Sequence, residues 1–402
     1  MSQISDRLIA FNKGLLPDMV QLKYQAMAVN AFTFFRGTCH IYYQDLQPTS
    51  TMPPSPLIWA CGDLHLENYG SFKGNNRMVY FDMNDFDESL LLPACWEISR
   101  IITSIFVGFD SFHISRAEAL KMARLFLKAY CDTLKNGKAI SIDPRTAKGI
   151  VCTFLETQAN RKMKALLNQR TEIKKGERLL SLEHIHHFAI EKGLKKKLIK
   201  HMAEWIKSVK HGPHDYKVTD AAFRLAGTGS IGIKRYVFLL RAADDKKKYL
   251  LVDMKQARSS SVAPYTKVTQ PKWATEAERV LAIQQRMQNL SPALLSASVF
   301  EDEPYVIAEM QPTEDKIDFS VIKDRYKDIQ QVINDMAVLV ASAQLRSSGR
   351  QGSAIADELI AFGADTQWHE ALLTYAETYA KQVKKDYKQF MKDYMSGFFK
   401  PA

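Results

Sequence analysis

Two short stretches of the sequence place many chemically competent side chains close together. The first, "ACGDLHLENYG" at 60–70, holds an Asp, a His and an Asn, and the second, "YFDMNDFDE" at 80–88, adds four carboxylates. Both lie beside apolar runs, and a carboxylate buried without a cation or a hydrogen-bond donor is costly. A metal ion that also binds an anion would supply the cation that these carboxylates need. Oxygen ligands suit magnesium or manganese rather than zinc.

A glycine-rich segment further along the chain has the residues of a phosphate-binding loop. "AGTGSIG" contains Gly227, Gly229 and Gly232, with Ser230 between the last two. A strand pattern, "IKRYVFLL", follows, whereas a dinucleotide-binding loop leads into a helix. Protein kinases place a glycine loop between two strands, where its backbone amides cover the phosphates of ATP. We therefore predict that these four residues contact a nucleotide.

A lysine lies near the end of the second strand pattern after this loop. In "VDMKQA", Lys255 follows an apolar run, as the phosphate-binding lysine does in the kinase "VAIK" pattern. The helix pattern "WATEAERVLAIQQRMQ" comes next and offers Glu278 or Glu276 as the acid that orients Lys255, and we prefer Glu278. Glu309, in the later strand pattern "PYVIAEMQ", is also assigned to the nucleotide site.

The stretch "GDLHLEN" resembles the "GDLHxxN" catalytic loop of aminoglycoside phosphotransferases and related small-molecule kinases, and less closely the "HRDLKPEN" of protein kinases. The resemblance implies that Asp63 is the catalytic carboxylate, which accepts or orients the proton of the attacking hydroxyl, and that Asn68 is a magnesium ligand. His65 matches the second histidine of that loop and is a further catalytic candidate. Cys61 stands where that branch often has histidine.

The same families place a magnesium-chelating aspartate in a "DFG" or "DFD" motif after the next strand, and two positions compete for it here. If "YGSFKGNNRMVYF" is a symmetric hairpin, Asn68 lies opposite Asp82, which puts two ligands of one metal side by side. If the downstream pattern "DFDES", proline, "WEI" is aligned instead, Asp85 is the ligand and Glu97 replaces a helix-anchoring acid. We prefer Asp85, with Asp82 and Asp87 beside it as metal candidates.

Five motifs in one order extend the resemblance over nearly the whole chain: "FTFFRGTCHIYYQDL", "CGDLHLENYG", "FDMNDFDE", "GTGSIGIKRYVFLL" and "VDMKQARSS". Together they resemble an uncharacterised bacterial family, domain of unknown function 2252, which is thought to be kinase-like. Arg36 and Gly37 of "FFRG" look like part of its pattern. An ordinary salt bridge at a helix end is the alternative role for Arg36.

The elements that must position these motifs are mostly helical. Apolar spacing at three and four residues predicts helices at roughly 17–46, 96–110, 115–136, 144–170, 194–210, 273–289, 321–346 and 366–397. The stretch from about 218 to 310 is rich in β-branched and aromatic residues, and the polar turn "ADDKKK" joins two of its strand patterns. We therefore predict a β-rich insert between helical regions.

The order of the motifs differs from that of ordinary kinases, which place the glycine loop and lysine first and the catalytic loop last. Here the catalytic-loop pattern comes first, and "VINDMAVLVASAQLRSSG" resembles the helix that normally leads into it. This order indicates a circular permutation, which requires chain ends at the surface and near each other. We expect the helix ending near Arg346 to approach the strand that leads into Gly62, and Lys255 to lie within about 10 Å of Asp85.

The predicted fold class is therefore α+β: a two-lobed protein-kinase-like fold, circularly permuted, with a small β-rich nucleotide lobe and a large helical lobe. Residues 1–216 would form the helical lobe with the catalytic loop and metal-binding segment, 217–311 the β-rich lobe, and 312–402 the C-terminal helices that complete the helical lobe. The alternative is two unrelated sites, near 60–90 and near 227–255.

Composition restricts the class of protein. A chain of 402 residues with 46% hydrophobic content supports a sizeable core, and neither a secretory signal nor a long apolar run is present, so we expect a cytoplasmic protein without a membrane span. The net charge of +11 is spread along helical patterns with acidic neighbours, so no nucleic-acid partner is expected. The five cysteines form no CxxC pair, and "EHIHH" (His184, His186, His187) is interpreted as a surface cluster rather than a metal site.

The sequence thus predicts a phosphotransferase that uses ATP with Mg²⁺ or Mn²⁺ and acts on a hydroxyl group of a small-molecule or protein acceptor. Two alternatives are a nucleotidyl transferase, which binds ATP reversed and passes on AMP, and a catalytically silent pseudokinase that only binds nucleotide. The expected partners are a nucleotide and an acceptor, and the acceptor's identity and the oligomeric state stay open.

Overall fold

The computed structural model describes residues 4–49, 52–183, 187–210, 212–227, 229–313 and 316–399. The first half of the chain contains helices and short strands: α1 Ile4–Asn12, α2 Pro17–Met27, α3 Ala31–Gly37, α4 Cys39–Thr49, β1 Leu57–Ala60, β2 Tyr69–Lys73, β3 Val79–Met83, β4 Leu90–Pro93, α5 Ala94–Ser111, α6 Arg116–Asn136, α7 Gly149–Asn160, α8 Met163–Arg170, β5 Thr171–Lys174, β6 Glu177–Leu180, β7 His187–Phe188 and α9 Lys192–Ser208.

The second half contains the longer strands and the C-terminal helices: β8 Tyr216–Arg224, β9 Arg235–Ala242, β10 Tyr249–Gln256, α10 Glu276–Met287, β11 Ser296–Phe300, β12 Glu303–Met310, α11 Phe319–Ile322, α12 Tyr326–Ser347, α13 Ala356–Ala364 and α14 His369–Met395. The architecture is mixed α and β, as the sequence predicts. The predicted β-rich region, 218–310, coincides with strands β8 to β12.

Two predicted helices are divided in the structure. The segment 17–46 forms three helices, because the side chain of Asn30 accepts a hydrogen bond from the backbone N–H of Thr33 at 2.8 Å and starts a new helix there. The segment 144–170 is divided between α7 and α8. Strands β1 to β4 are each four or five residues long; the sequence placed a strand before Gly62 and offered a hairpin at "YGSFKGNNRMVYF", which correspond to β1 and to β2 with β3, whereas β4 was not predicted.

The larger sheet has six antiparallel strands in the order β11, β12, β10, β9, β8, β7. Phe238 and Leu240 of β9 belong to the same apolar cluster as Trp205 of α9, whereas Val237 and Leu239 pack with residues of α8 and β6. Both faces are thus covered, which explains why β9 is a continuous apolar run and not an alternating one. Helices α8 and α9 pack against this sheet, and β7 is one of its edge strands. All three elements precede residue 217.

The helical core is built around α5, whose residues from Ala94 to Phe109 are all buried except Trp96. A helix that is apolar around its whole circumference requires neighbours on every side. Leu8 of α1 and Phe390 of α14 belong to the same core, so both ends of the chain contribute to one body.

The segment after α12 contacts the strand that leads into Gly62. The indole Nε1 of Trp59 donates to the carbonyl of Arg350 at 3.0 Å, and the backbone N–H of Ala354 donates to the carbonyl of Leu57 at 2.8 Å. Residues 291 positions apart in the chain are therefore hydrogen-bonded. The expected approach of these two segments is confirmed.

Other sequence expectations concern single residue types. Among the described residues, no helix combines the length and the apolar character needed to cross a bilayer. All five cysteines are free thiols, and four of them are buried. His187 contacts the carbonyl of Ser181 through Nδ1 at 3.1 Å, whereas His184 and His186 lie outside the described residues.

Candidate functional site

A cleft between the six-stranded sheet and the helical core brings the candidate residues together. Asp63, Asp85 and Asp87 line it from the helical side, and Gly229 and Ser230 line it from the sheet. Residues of α1, α2, α3 and α4 and of the segment that follows β10 also line it. Motifs far apart in the sequence thus share one cleft.

The loop after β1 is fixed from two sides. The backbone N–H groups of Cys61 and Gly62 donate to Oε1 of Glu97 at 2.6 and 3.3 Å, and the hydroxyl of Tyr43 donates to the carbonyl of Gly62 at 2.6 Å. Burial raises the pKa of Glu97. Gly62 has a φ of +86°, and a Cβ there would collide with the carbonyl of Glu88, so only glycine fits.

Asp63 is held by an arginine that the sequence analysis missed. Arg100 of α5 donates to Oδ1 of Asp63 from Nε at 2.8 Å and also from Nη2. The side chain of Arg100 is fully buried, and its guanidinium lies over the rings of Phe35 and Tyr42 at 4.3 and 5.0 Å. The second oxygen of Asp63, Oδ2, has no hydrogen bond within the described chain. Asp63 therefore faces the cleft with one oxygen fixed and one free.

Asn68 joins the two acidic loops. Its Nδ2 donates to the carbonyls of Asp63 and Asp85 at 3.1 and 3.2 Å, and its Oδ1 accepts from the backbone N–H of Asp85 at 2.9 Å. The residue is buried and does not line the cleft. The structure thus gives Asn68 a bridging position, in which its amide oxygen already accepts a hydrogen bond.

The hairpin that carries the acidic loop has a register that corrects one expectation. Tyr69 pairs with Met83, and the backbone N–H of Asn84 donates to the carbonyl of Asn68 at 3.3 Å. Asn68 therefore lies opposite Asn84, and the symmetric register with Asp82 opposite Asn68 is wrong. The reason is the turn, in which the backbone N–H of Gly74 donates to the carbonyl of Met78 and the pairing is shifted by two residues along β3.

The three aspartates of this segment lie in different surroundings. Asp82 is buried away from the cleft, where burial raises its pKa to about 6 and the Arg346 cation acts against this shift. Asp85 is exposed at the cleft, and Asp87 lies beside it. Burial raises the pKa of Asp87, although the Lys255 ammonium partly offsets the effect.

Lys255 reaches across the cleft to these two acids. Its Nζ lies 3.5 Å from Oδ1 of Asp85 and forms a closer ion pair with Asp87. Burial alone would lower the pKa of Lys255, but the Asp85 and Asp87 carboxylates outweigh it and raise the pKa. Asp85 and Lys255, 170 positions apart in the chain, thus meet at one site, and the expectation of a short distance between them is met.

The acid expected to orient Lys255 does not do so. Glu278 is exposed in the first turn of α10, and Glu276 accepts hydrogen bonds from Ser259 at 2.9 Å and from Arg279 at 2.6 Å. Because α10 begins only at Glu276, these side chains project beside the helix start and not toward the lysine. The expected pair of Lys255 with Glu278 or Glu276 is therefore wrong for the described structure.

Glu309 lies near the end of β12, outside the cleft. It is buried and forms an ion pair with Arg77 of the β2–β3 turn. Burial raises the pKa of Glu309, and the Arg77 cation opposes the shift. The contact ties the sheet to the hairpin that carries the acidic loop, which is a different position from the nucleotide contact that the sequence predicts.

The glycine loop lies between β8 and β9, as predicted. Gly232 has a φ of +98°, and a Cβ there would lie 2.9 Å from the side chain of Leu15, so a larger residue is excluded. Its carbonyl accepts from the backbone N–H of Leu16 at 3.0 Å. Ser230 donates to the carbonyl of Ala226 at 2.8 Å, and the loop also contains Gly227. Residue 228 lies outside the described residues.

His65 is set back from the cleft beside Asp63, whereas Arg36 and Gly37 line the cleft. His65 is buried, its Nδ1 accepts from the backbone N–H of Glu67 at 3.1 Å, and it does not line the cleft. Burial and the nearby Arg36 cation hold the pKa of His65 well below its usual value, so the ring is neutral at pH 7. Arg36, at the end of α3, forms an ion pair with Glu67, and Gly37 packs against Met27.

The N-terminal helices contribute residues that the sequence analysis did not select. Lys23 of α2 and His40 of α4 line the cleft and are buried, and Phe11 of α1 lines it beside them. Arg258, which follows β10, lines the same cleft. His40 and Arg258 stand inside the motifs "FTFFRGTCHIYYQDL" and "VDMKQARSS", but neither residue was selected within them, and Phe11 and Lys23 lie outside any motif.

The carboxylates of the acidic loop suit a magnesium ion that also binds water and phosphate better than a metal ion held only by protein side chains. Within the described ranges, no three His, Cys, Asp or Glu side chains are grouped as metal ligands. Magnesium is commonly held by one or two carboxylates together with water and substrate phosphates. Asp85 and Asp87, two neighbouring carboxylates beside a lysine, supply such a pair.

A protein-family model matches most of the chain. The family is described as "Uncharacterized protein conserved in bacteria (DUF2252)", and the match covers residues 15–393. No curated protein and no solved structure matches the chain. All of the residues that line the cleft, apart from Phe11, lie within the matched range.

Proposed function

The chain belongs to the DUF2252 family of bacterial proteins, and from the geometry of its cleft we propose that it is an ATP- and magnesium-dependent phosphotransferase with a circularly permuted kinase-like fold. The acceptor is a hydroxyl group of a small molecule or a protein. The observation that carries the proposal is the contact of Lys255 with Asp85 and Asp87, which joins the glycine-loop segment to the acidic loops.

The order of elements in the sheet supports this proposal. The glycine loop joins β8 to β9, Lys255 lies on the next strand, β10, and helix α10 follows it. Protein kinases carry a glycine-rich loop, a lysine on the third strand and then an acidic helix. The loop's backbone amides and Lys255 would bind the phosphates of ATP, which also need a positive environment.

Asp85 and Asp87 would hold the magnesium ion. When bound together with ATP, this ion would neutralise part of the phosphate charge. Asn68 keeps the loops of Asp63 and Asp85 at a fixed separation through its three hydrogen bonds. Lys255 would exchange its carboxylate partners for phosphate oxygens. The contribution of these residues is positioning and charge compensation, which accounts for most of the catalysis in phosphoryl transfer.

Asp63 would position the acceptor. In the proposed reaction the acceptor oxygen forms a bond to the γ-phosphorus, the bond from that phosphorus to the β–γ bridging oxygen breaks, and ADP leaves. The hydroxyl proton passes to the free Oδ2 of Asp63, while Arg100 holds Oδ1. The ion pair with Arg100 keeps the carboxylate oriented toward the cleft.

The test uses purified protein with ATP labelled at the γ or the α position and a set of metabolite alcohols as acceptors. Transfer of the γ label supports the proposal, whereas transfer of the α label indicates a nucleotidyl transferase. Nucleotide binding without transfer of either label indicates a pseudokinase.

Calorimetry tests the nucleotide site directly. ATP should bind in the presence of Mg²⁺, and Lys255→Met should weaken binding by roughly tenfold or more, since hydrogen bonds to charged groups are strong. Lys234→Met is the matched control, because Lys234 is paired with Glu303 on the same sheet, at 2.8 Å, and does not line the cleft. Undetectable ATP affinity in well-folded protein would overturn the proposal.

A further inference from the structure

One end of the cleft holds polar groups that the proposed nucleotide chemistry does not use. His40 lines the cleft and is only 3% exposed, yet neither of its ring nitrogens has a hydrogen-bond partner within the described chain. The ring of Phe11 stacks on it with 3.6 Å between centroids. Buried imidazole nitrogens are nearly always hydrogen-bonded, so the two free nitrogens of His40 indicate a missing partner.

Lys23 lies in the same part of the cleft and is only 2% exposed. Its Nζ donates to Oδ1 of Asn12 at 3.1 Å and lies 5.4 Å from the centre of the Phe11 ring, but it forms no ion pair within the described chain. Burial lowers the pKa of Lys23 to about 8. A buried ammonium without a counter-ion is costly, and an anionic ligand would remove that cost.

Arg258 adds a second unpaired cation. It follows Lys255 by three residues, is exposed at the cleft, and forms no ion pair with a described residue. Of the acids that line the cleft here, Asp63 is paired with Arg100, and Glu88 accepts from Ser260 and Ser261 but forms no ion pair with a described residue. The Glu88 and Asp63 carboxylates partly offset the effect of burial on the pKa of Lys23, so this end of the cleft holds two cations without an ion-pair partner among the described residues.

We propose that Lys23, His40 and Arg258 form the acceptor subsite, which binds an anionic group of the acceptor, a carboxylate or a phosphate, while the acceptor's hydroxyl faces Asp63. The assignment of this anion to an acceptor rests on the proposed phosphotransferase function. The binding of an anion at this place does not.

The three side chains have complementary chemistry for such a ligand. Lys23 and Arg258 donate to anionic oxygens, and a neutral imidazole has one N–H donor and one acceptor nitrogen. His40 can therefore donate to the anion from one nitrogen and accept from a neighbouring hydroxyl with the other. This combination selects a small, negatively charged alcohol, and a neutral alcohol would leave the two cations unpaired.

The test follows the imidazole of His40 by NMR in protein labelled at histidine, with the signal assigned by its loss in His40→Gln. Sulfate and acetate are titrated separately, as probes for a phosphate and a carboxylate, at constant ionic strength set with chloride. We expect a saturable shift of the His40 signals with at least one probe, and the stronger probe identifies the type of anion.

Matched variants locate the binding. Lys23→Met and Arg258→Met should each weaken binding of the probe by roughly tenfold or more, and Arg258 is exposed, so its substitution does not threaten folding. Lys138→Met removes one charge at an exposed position outside the cleft and should leave binding unchanged. An equal effect of all three variants would indicate an adventitious ion only, and the proposal would be wrong.

A magnesium complex of a non-hydrolysable ATP analogue separates the two proposals. Simultaneous binding of the analogue and the probe supports an acceptor subsite next to the nucleotide. Displacement of the probe by the analogue would mean that the anion occupies a nucleotide-phosphate position, which overturns the acceptor assignment. If the probe binds and the analogue does not, the phosphotransferase proposal fails and the acceptor assignment fails with it, while the anion site itself remains.

Discussion

The polar groups at the two ends of the cleft differ in whether they have partners within the protein. Toward the sheet, Lys255 of β10 is paired across the cleft with Asp85 and Asp87 of the loop between β3 and β4. Toward the N-terminal helices, Lys23 forms no ion pair and His40 forms no hydrogen bond with any described residue. We call the sheet side the complete end, because Lys255, Asp85 and Asp87 pair with one another without a ligand, and the helical side the incomplete end.

This difference determines what a ligand must do at each end. At the sheet end, a nucleotide has to replace internal ion pairs, so binding exchanges one set of charge contacts for another. At the helical end, an anion would add an ion-pair partner for Lys23 and a hydrogen-bond partner for His40. Substitutions at the complete end should therefore weaken the protein or its chemistry, whereas substitutions at the incomplete end should weaken binding but can strengthen the fold.

The largest effect is expected where the complete end meets the acceptor. Asp63→Asn should lower turnover by roughly 10²- to 10⁴-fold, because an amide cannot take the hydroxyl proton, while Mg·ATP affinity stays nearly unchanged. The measurement is γ-label transfer to an identified acceptor, together with calorimetry. Asp132→Asn, an exposed aspartate on α6 outside the cleft, is the control. Full turnover by Asp63→Asn would show that the catalytic assignment is wrong.

The ion pair of Asp63 can be broken by substituting its buried partner, Arg100. Arg100→Met leaves Asp63 without its cation and should lower the free energy of unfolding by about 3–5 kcal/mol. Arg116→Met is the control, because Arg116 pairs with Glu377 at the surface with its side chain 71% exposed, and its loss should change stability by less than about 1 kcal/mol. Denaturant unfolding measures both, and equal effects would contradict the contrast.

The incomplete end should respond in the opposite direction. Lys23→Met removes an unpaired buried ammonium and should raise the free energy of unfolding at pH 7 by roughly 1–3 kcal/mol. Because the pKa of Lys23 is lowered to about 8 by burial, the folded protein binds fewer protons than the unfolded chain above that pH. Stability should therefore rise with pH from about 8 toward the ordinary lysine value, and Lys23→Met should lack this rise.

Lys138→Met is the control for this comparison, since an exposed lysine should change stability by no more than about 0.5 kcal/mol. Thermal and denaturant unfolding across the pH range test the sign. A clear loss of stability in Lys23→Met would mean that the ammonium is already satisfied in the folded protein.

The smallest expected effect is a pH dependence of sulfate binding at the incomplete end. Affinity should fall by about tenfold between pH 7 and pH 9 as Lys23 loses its proton. Of the other facing groups, burial raises the pKa of Glu88 to about 6 and holds the pKa of the Cys39 thiol well above its usual value, so neither changes charge in this range. A flat profile would contradict the role of Lys23.

The contrast also explains which parts of the molecule the sequence could predict. The complete end consists of contiguous motifs, "GDLHLEN", "DFDE" and "VDMK", so their residue types and order predicted that Lys255 would meet Asp85. The incomplete end consists of single residues on α2, α4 and the segment after β10, and only the folded chain brings them together.

Arg100 was missed for a related reason, although the sequence does contain a signal for it. It is one of two buried charges in the apolar run of α5, the other being Glu97, and a charge on a buried helix requires a partner. The partner could not be predicted, since Asp63 lies 37 positions away. The predicted pair of Lys255 with Glu278 was wrong because Lys255 pairs with Asp85 and Asp87, whose approach across the cleft depends on the tertiary fold.

The arrangement of the two cores has a consequence for synthesis on the ribosome. Strands β8 to β12 come from one continuous stretch, so the long strands of the sheet can pair as soon as residue 310 has emerged. The acidic loops are made much earlier, but Glu97, which holds Cys61 and Gly62, also accepts from Gln344 of α12 at 3.3 Å, and the core beneath it includes Phe390. The acidic loops are thus translated early but completed late, and a truncated chain would carry an assembled sheet beside an unfinished acidic loop.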